Sequence, residues 1–281
     1  MTNSAGGRVE RGARHGPQGE AQEAPSTLKA LIFDVDGTLA DTEEVHRRAF
    51  NEAFQQLGLD WNWSRPKYAH LLLTAGGKER LAAYIDSLDL PAAGRRELAA
   101  RIDEIHRVKT ENYTRMVLAG EVVLRDGVAR LIEDAARSHV RLSIATTTTL
   151  ANVEALLCTS LGPEALDRFA VIGTAANAAR KKPAADIYEY VLRQLGTSPR
   201  ECVAIEDSAN GLRAAKAAGL YTIVTPSYWT RTEDFSAADL VLPSLGSAER
   251  PLMPRAAGLV GNTLLGIREI SRQFDALQEY G

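Results

Sequence analysis

The chain separates one strand-like segment from all its others by a long block of helical periodicity. The apolar run Leu31–Phe33 in "ALIFDVDGTLAD" reads as the interior of a buried strand. After it, "EEVHRRAFNEAFQQLGL" places Val45, Ala49, Phe50, Ala53, Phe54 and Leu57 on one helical face. Helical patterns continue through "KERLAAYIDSL" and "RRELAARIDEIHRVKTENYTRMV" with no strand among them. From about residue 120 the rhythm changes. "VRLSIATT", "FAVIGT", "ECVAIED", "YTIVT" and "ADLVLP" read as strands. "GVARLIEDAARS", "LANVEALL", "ADIYEYVLRQLG" and "SANGLRAAKAAG" read as helices between them, the last opened by Ser208 as N-cap. Alternation of this kind predicts βαβ units and a parallel sheet. The fold expected is α/β, a parallel-sheet core with an inserted all-helical cap domain. The core is drawn from 28–40 and 120–246 and the cap from 41–119. The stretch "LVGNTLLGIREISRQFDALQEY" predicts a helix within a C-terminal helical extension over 247–281. Residues 1–27, rich in Gly, Arg, Glu and Gln and without periodicity, read as a disordered tail.

The order of segments puts the helical block above the carboxyl edge of the sheet, where open α/β sheets bind ligands. At that edge the first strand ends in Asp34 and Asp36. Alternating side chains let both acids project from one side of the strand end. Gly37 turns the chain and Thr38 can bond the turn. Buried acids are costly unless they meet a metal or another charge. Other strand ends supply complementary groups: Thr146 with Thr147 beside it, then Glu206 and Asp207. Lys181 and Lys182 stand at a predicted helix start, with Pro183 in its first turn. Carboxylates, a hydroxyl and an ammonium suit phosphoryl transfer. A carboxylate can attack phosphorus, a hard cation takes a few carboxylates plus phosphate oxygens, and lysine offsets developing charge.

The same residues resemble the motifs of the haloacid dehalogenase superfamily: DVDGT at 34–38, Thr146, Lys182–Pro183 and Glu206–Asp207, within a match spanning about 28–246. The resemblance implies a Rossmann-like core with Asp34 as nucleophile and Asp36 as the acid that protonates the leaving oxygen and then activates water. It implies Thr146 on a phosphoryl oxygen and Lys182 between Asp34 and the phosphoryl group. It also implies Mg²⁺ held by Asp34, the Asp36 main-chain carbonyl and Asp207, supported by Glu206. A dehalogenase needs no acid for a halide and lacks the second aspartate, so Asp36 favours phosphate chemistry. Within the superfamily, "ADTEEVHRRAFNEAF", "DWNW", "TAGGKER", "ATTT" and "EDSANGLRAAKAAG" resemble the CbbY subgroup, sugar-bisphosphate phosphatases associated with Calvin-cycle carbon fixation. That resemblance implies a substrate like xylulose-1,5-bisphosphate. Ala185 stands where the subgroup often has Pro. A β-phosphoglucomutase-like mutase, built on the same core, is the alternative.

For a bisphosphate the cap must hold the second phosphate. It offers Glu43, His46, Arg47, Tyr68, Gly77, Lys78 and Arg80, with Thr147 as a further substrate contact from the core. Gly76 and Gly77 would let backbone N–H groups approach phosphate, and Lys78 and Arg80 supply charge. The plainer readings are a solvated His46, Tyr68 as packing, a simple helix start at "GGKER", Lys181 as a solvated neighbour and, in the run Thr146–Thr149, Thr148 or Thr149 as a helix N-cap. "GGKER" is no P-loop, since the Gly six residues before the Lys is absent and no Ser or Thr follows Lys78. Trp61 and Trp63 read as core. The two cysteines, Cys158 and Cys202, read as isolated thiols. A net charge of −3 without a basic block gives no reason to expect nucleic acid. No apolar stretch approaches a membrane span, so a cytoplasmic, monomeric enzyme acting on a small sugar phosphate is the expectation.

Overall fold

The structure is a computed structural model and describes residues 26–278. The elements in chain order are β1 (Ala30–Phe33), α1 (Glu43–Gln56), α2 (Arg65–Leu71), α3 (Gly77–Asp86), α4 (Ala92–Ala100), α5 (Ile102–Leu118), α6 (Val128–Arg137), β2 (Arg141–Ala145), α7 (Leu150–Leu161), β3 (Phe169–Gly173), α8 (Asp186–Leu195), β4 (Cys202–Glu206), α9 (Ala209–Ala217), β5 (Tyr221–Val224), β6 (Leu240–Val241), α10 (Pro254–Val260) and α11 (Ile267–Gln278). The six strands form one parallel sheet in the order β3-β2-β1-β4-β5-β6. The fold is α/β, with a helical insertion between β1 and β2. β1 is fully buried between β2 and β4, which is why it carries an unbroken apolar run. The chain leaves β1 to one side for β2 and resumes on the other with β4, so the edge above β1 is a topological switch point.

Helix α1 buries Val45, Ala49, Phe50, Ala53 and Phe54. Phe50, Phe54, Trp63, Tyr68, Leu81 and Ile105 make a separate aromatic core for the inserted helices. A buried aromatic such as Phe54 cut to Ala would cost about 3–5 kcal/mol there. The insertion joins the core through two adjacent strands of chain: Ala40 bridges Leu124, and the Arg125 amide donates to the Leu39 carbonyl at 2.9 Å.

Several expectations change in the structure. Pro183 is not in the first turn of a helix. It follows a cis Lys182–Pro183 peptide, and α8 begins only at Asp186. The C-terminal stretch is two helices, α10 and α11, not one. Hydrogen bonds from Leu252 to the Thr263 carbonyl and from Leu265 to the Leu245 carbonyl hold the intervening segment as a loop. The helices and the segments beside them are part of the core, contributing Leu252, Val260, Leu265, Ile270 and Phe274 to its main apolar cluster. The expected disordered tail falls outside the described residues except at its end. There Thr27 donates from its amide and hydroxyl to Asp275 at 3.1 and 2.6 Å. No described helix is long and apolar enough to cross a membrane.

Candidate active site

Asp34 follows the last residue of β1, Thr146 the last of β2, Asp207 the last of β4, and Glu206 ends β4 itself. Parallel pairing in register brings these positions to one edge. Lys182 Nζ donates to Asp34 Oδ1 and to Glu206 Oε1, each at 2.6 Å, and all three side chains are buried. Tyr188 OH on α8 donates to the same Glu206 oxygen at 2.5 Å. Burial raises the Tyr188 phenol well above its ordinary value, so it stays a donor. Two close approaches are possible only at glycine. A Cβ on Gly37, whose φ is +87°, would lie 2.2 Å from Asp207 Oδ2, and one on Gly211 would lie 1.9 Å from Glu206 Oε2.

Asp34, Glu206 and Asp207 bring carboxylate oxygens within 4.8 Å of one another. Lys182 alone does not balance them. Burial pushes Asp34 up to about 7 despite Lys182, with Glu206 and Asp36 adding to the rise. Burial, reinforced by Asp34 and Glu206, raises Asp207 well above the carboxylate range. Three buried oxygen donors with uncompensated charge fit a hard divalent cation.

Asp36 meets different neighbours. Its Oδ1 accepts from Thr42 Oγ1 at 2.6 Å and pairs with His46 Nε2 at 2.9 Å. Burial pushes this carboxyl up, but His46, Thr42 and Lys109 outweigh it and bring it down to about 2. His46 Nδ1 in turn lies 2.6 Å from Lys109 Nζ, and its ring stacks on Tyr113 at 4.0 Å. Burial lowers Lys109 to about 8, and burial together with Lys109 lowers His46. A neutral His46 accepting from the Lys109 ammonium at Nδ1 donates from Nε2 to Asp36.

Both constellations open into a cleft of about 490 Å³ between the sheet edge and the inserted helices. Of the residues singled out in the sequence, Asp34, Asp36, Glu43, His46, Gly77, Lys78, Arg80, Thr147, Lys182 and Asp207 line it. Arg47 does not: its guanidinium donates to Glu44 at 2.7 Å and to the Trp63 carbonyl at 2.8 Å. Tyr68 is fully buried behind the wall, donating to Glu43 at 2.7 Å and accepting from Arg80 at 3.0 Å, so it orients Glu43 from behind. Thr146 is buried, its Oγ1 accepting from the Thr148 amide at 3.1 Å, and the N-cap of α7 is Thr149. Lys78 pairs with Asp103 at 2.6 Å. The reading of Lys181 as a solvated neighbour is corrected: it lines the cleft and bridges to Glu79 of α3 at 2.5 Å. The Thr38 hydroxyl is buried without a partner among the described residues, and the turn is closed by its amide donating to Val35 at 3.2 Å.

Lys109, Tyr188 and Thr230, whose hydroxyl donates to Asp207 Oδ2 at 3.1 Å, were missed in the sequence. Lys109 had left a signal. It falls between Ile105 and Met116 on the buried face of α5, where a charge interrupts an apolar stripe. Tyr188 had none, since a tyrosine among Ile187, Val191 and Leu192 reads as packing.

A model of the haloacid dehalogenase-like hydrolases matches residues 28–219, well over half the chain. The CbbY protein of Cupriavidus necator is 50% identical over 231 residues, covering 82% of this chain and 91% of the relative. The CbbY protein of Rhodobacter capsulatus is 50% identical over 227 residues, covering 81% and 98%. A crystal structure of CbbY from Rhodobacter sphaeroides in complex with phosphate superposes with a TM-score of 0.72 at 48% identity, covering 79% of this chain and 98% of that one. A substituted form of the same protein in complex with xylulose-1,5-bisphosphate superposes equally well. The chain belongs to the haloacid dehalogenase-like hydrolases and, among them, to the CbbY proteins. It is an enzyme of the sugar-phosphatase type.

Proposed function

We propose that the protein hydrolyses xylulose-1,5-bisphosphate at its 1-phosphate, through a phosphoryl group carried on Asp34 and with Mg²⁺ as cofactor. The observation that carries the chemistry is the meeting of Asp34, Lys182, Glu206 and Asp207 at one strand edge, with Asp36 two residues on and held by a separate set of groups. The substrate is taken from the relative whose structure holds xylulose-1,5-bisphosphate.

Asp34, Asp207 and Glu206, with the Asp36 main-chain carbonyl, would hold the cation. When bound, it offsets negative charge on the carboxylates and phosphoryl oxygens. An Asp34 oxygen attacks phosphorus as the bond to the sugar oxygen breaks, and that oxygen takes a proton from Asp36. Lys182 and the Thr146–Thr147 turn hold phosphoryl oxygens. In the geometry described Asp36 is ionised and ready as a base. The negative phosphoryl group arriving beside it raises its proton affinity and lets it serve first as the acid. In the second half-reaction Asp36 takes a proton from water, which attacks phosphorus and frees Asp34 and inorganic phosphate. Glu43 would meet the sugar hydroxyls, and Lys78, Arg80 and the start of α3 the second phosphate, since all of them line the cleft. The same reading has the enzyme clear a misfire product of carbon fixation.

Phosphate release with Mg²⁺ is the test, with xylulose-1,5-bisphosphate, ribulose-1,5-bisphosphate, fructose-1,6-bisphosphate and glucose-1-phosphate in parallel. Strong preference for the xylulose compound supports the proposal. Flat activity on all four removes the substrate, and isomerisation of glucose-1-phosphate with a bisphosphate activator replaces hydrolysis by mutase chemistry. Lys78→Ala is expected to raise KM for the bisphosphate about tenfold, as loss of one charge-assisted contact does, and to leave KM for p-nitrophenyl phosphate unchanged. Equal effects on both would take Lys78 out of the second phosphate site.

A further inference from the structure

Arg125 lies where the chain returns from the inserted helices to the core, one residue past the Ala40–Leu124 bridge. Its guanidinium gathers three separate segments. Nη1 donates to the Gly37 carbonyl, to the Thr225 carbonyl at 2.6 Å and to Thr225 Oγ1 at 3.2 Å. Nη2 donates to the Pro226 carbonyl at 2.9 Å, and Nε faces Asp41 Oδ1 at 3.5 Å.

Two of these segments form the seat of Asp207. Gly37 lies flush against that carboxylate, so close that a Cβ could not be inserted. The 225–230 loop holds it from another side. The Thr225 amide donates to the Glu206 carbonyl at 2.7 Å. Ser227 and Thr230 hydroxyls bond each other at 3.0 Å, and Thr230 Oγ1 donates to Asp207 Oδ2 at 3.1 Å. We infer that Arg125 is a positioning residue: it clamps the turn after the two aspartates against the loop that holds Asp207, and so sets how tightly the acid cluster takes its divalent cation. Only a planar fork with five N–H donors reaches these carbonyls together; a lysine ammonium has three donors at a single point. Arg125 touches none of the acid-cluster carboxylates in this arrangement: it acts through the backbone it fixes, and its charge also reaches Asp207, where it works against the rise that burial causes.

The molecule supplies its own control. Arg130 on α6 donates from Nη2 to the carbonyls of Leu245, Gly246 and Leu265 at 3.2, 3.2 and 3.0 Å, a niche as rich in carbonyls but built from the C-terminal segment. Removing either arginine strands backbone acceptors, and only Arg125 borders the acids.

The inference rests on the proposed cation site, and the experiment separates the two. Mn²⁺ binding without substrate is measured by the EPR signal of free Mn²⁺ on the full chain, beside urea unfolding, for wild type, Arg125→Met, Arg125→Lys, Thr230→Val and Arg130→Met. Arg125→Met is expected to weaken Mn²⁺ binding by about 10- to 100-fold, the range for groups that orient metal ligands, with Arg125→Lys in between. Thr230→Val, which cuts the same support at its far end, is expected to weaken binding in the same direction. Arg130→Met is expected to lower stability and keep wild-type affinity. Should Arg125→Met fail to fold, Arg125→Lys and Thr230→Val carry the test. Wild-type affinity in the folded Arg125 variants overturns the inference and leaves the cation site standing, as does an equal loss in Arg130→Met. No Mn²⁺ binding by wild type overturns the cation site and the inference with it.

Discussion

Asp34 and Asp36 have the same side chain, lie two residues apart at one strand end, and ionise in opposite directions. Asp34 is pushed up to about 7 by burial among Glu206, Asp36 and a single lysine. The Asp36 side chain is 19% exposed against 10% for Asp34; burial raises it too, yet His46, Thr42 and Lys109 bring it down to about 2. The difference is one of origin. The groups around Asp34 come from the end of the sheet and the loop before α8, whereas those around Asp36 come from the start of α1 and from α5. The core builds the nucleophile's surroundings and the inserted helices build those of the proposed acid and base. Movement of the inserted helices would therefore alter proton transfer at Asp36 and leave the Asp34–Lys182 pair intact.

Three substitutions press on that contrast. Asp34→Asn is expected to remove turnover, by about 10⁴-fold or more, in phosphate release at saturating Mg²⁺, since no other group can take its place in the acyl phosphate. Activity near wild type would end the covalent mechanism. Asp36→Asn should cost about 10²–10⁴-fold on a sugar phosphate. It should cost far less on p-nitrophenyl phosphate when phosphoryl transfer to Asp34 is followed in a single turnover, because nitrophenolate leaves without a proton. Equal losses on both would remove Asp36 from leaving-group protonation. Lys109→Met should lower kcat about tenfold, the kinetic equivalent of one charge-assisted hydrogen bond. It should also shift the acid limb of the kcat profile upward as His46 regains proton affinity, whereas an unshifted profile would make Lys109 mere packing.

The smallest effects are on stability and have opposite signs. Asp34 has a native pKa raised from 3.8 to about 7. The native chain holds that proton more tightly, and stability is lost as pH rises through this window. Asp36 has a native pKa lowered from 3.8 to about 2. Its contribution is present above 3.8 and disappears as pH falls towards 2. At pH 8 with chelator, Asp34→Asn should therefore raise Tm and Asp36→Asn lower it, each by about 2–8 °C, the equivalent of ~1–2 kcal/mol in a chain of this size. Shifts of the same sign in thermal unfolding would show that the two carboxylates do not differ in this way.

Much of the fold could be read from the chain because its signals are local. Buried parallel strands demand unbroken apolar runs, as in Ala30–Phe33 and Val203–Ile205, and Ser208 caps α9 through its own side chain. Acids closing such strands were conspicuous for the same reason. What went unread depends on contacts between distant segments. Arg47 and Tyr68 look like any polar residues of a ligand-facing helix until tertiary packing turns one to the Trp63 carbonyl and sets the other behind Glu43. The single helix expected at the C-terminus gives way to two because Leu252 and Leu265 find backbone partners outside the helix pattern.

By itself, then, the sequence determined the α/β alternation, the long helical insertion after the first strand, and the set of acids, threonine and lysine brought to the sheet edge. Those follow from periodicity and from the cost of burying charge, which act over a few residues at a time. Only the tertiary structure decided which of two neighbouring aspartates binds a proton more tightly, which cap residues reach the cleft, and that Arg125 ties the aspartate turn to the loop behind Asp207. Desolvation, charge pairing and hydrogen-bond geometry fall off over a few ångströms of space, and those ångströms separate residues such as Asp34 and Lys182, 148 positions apart in the chain.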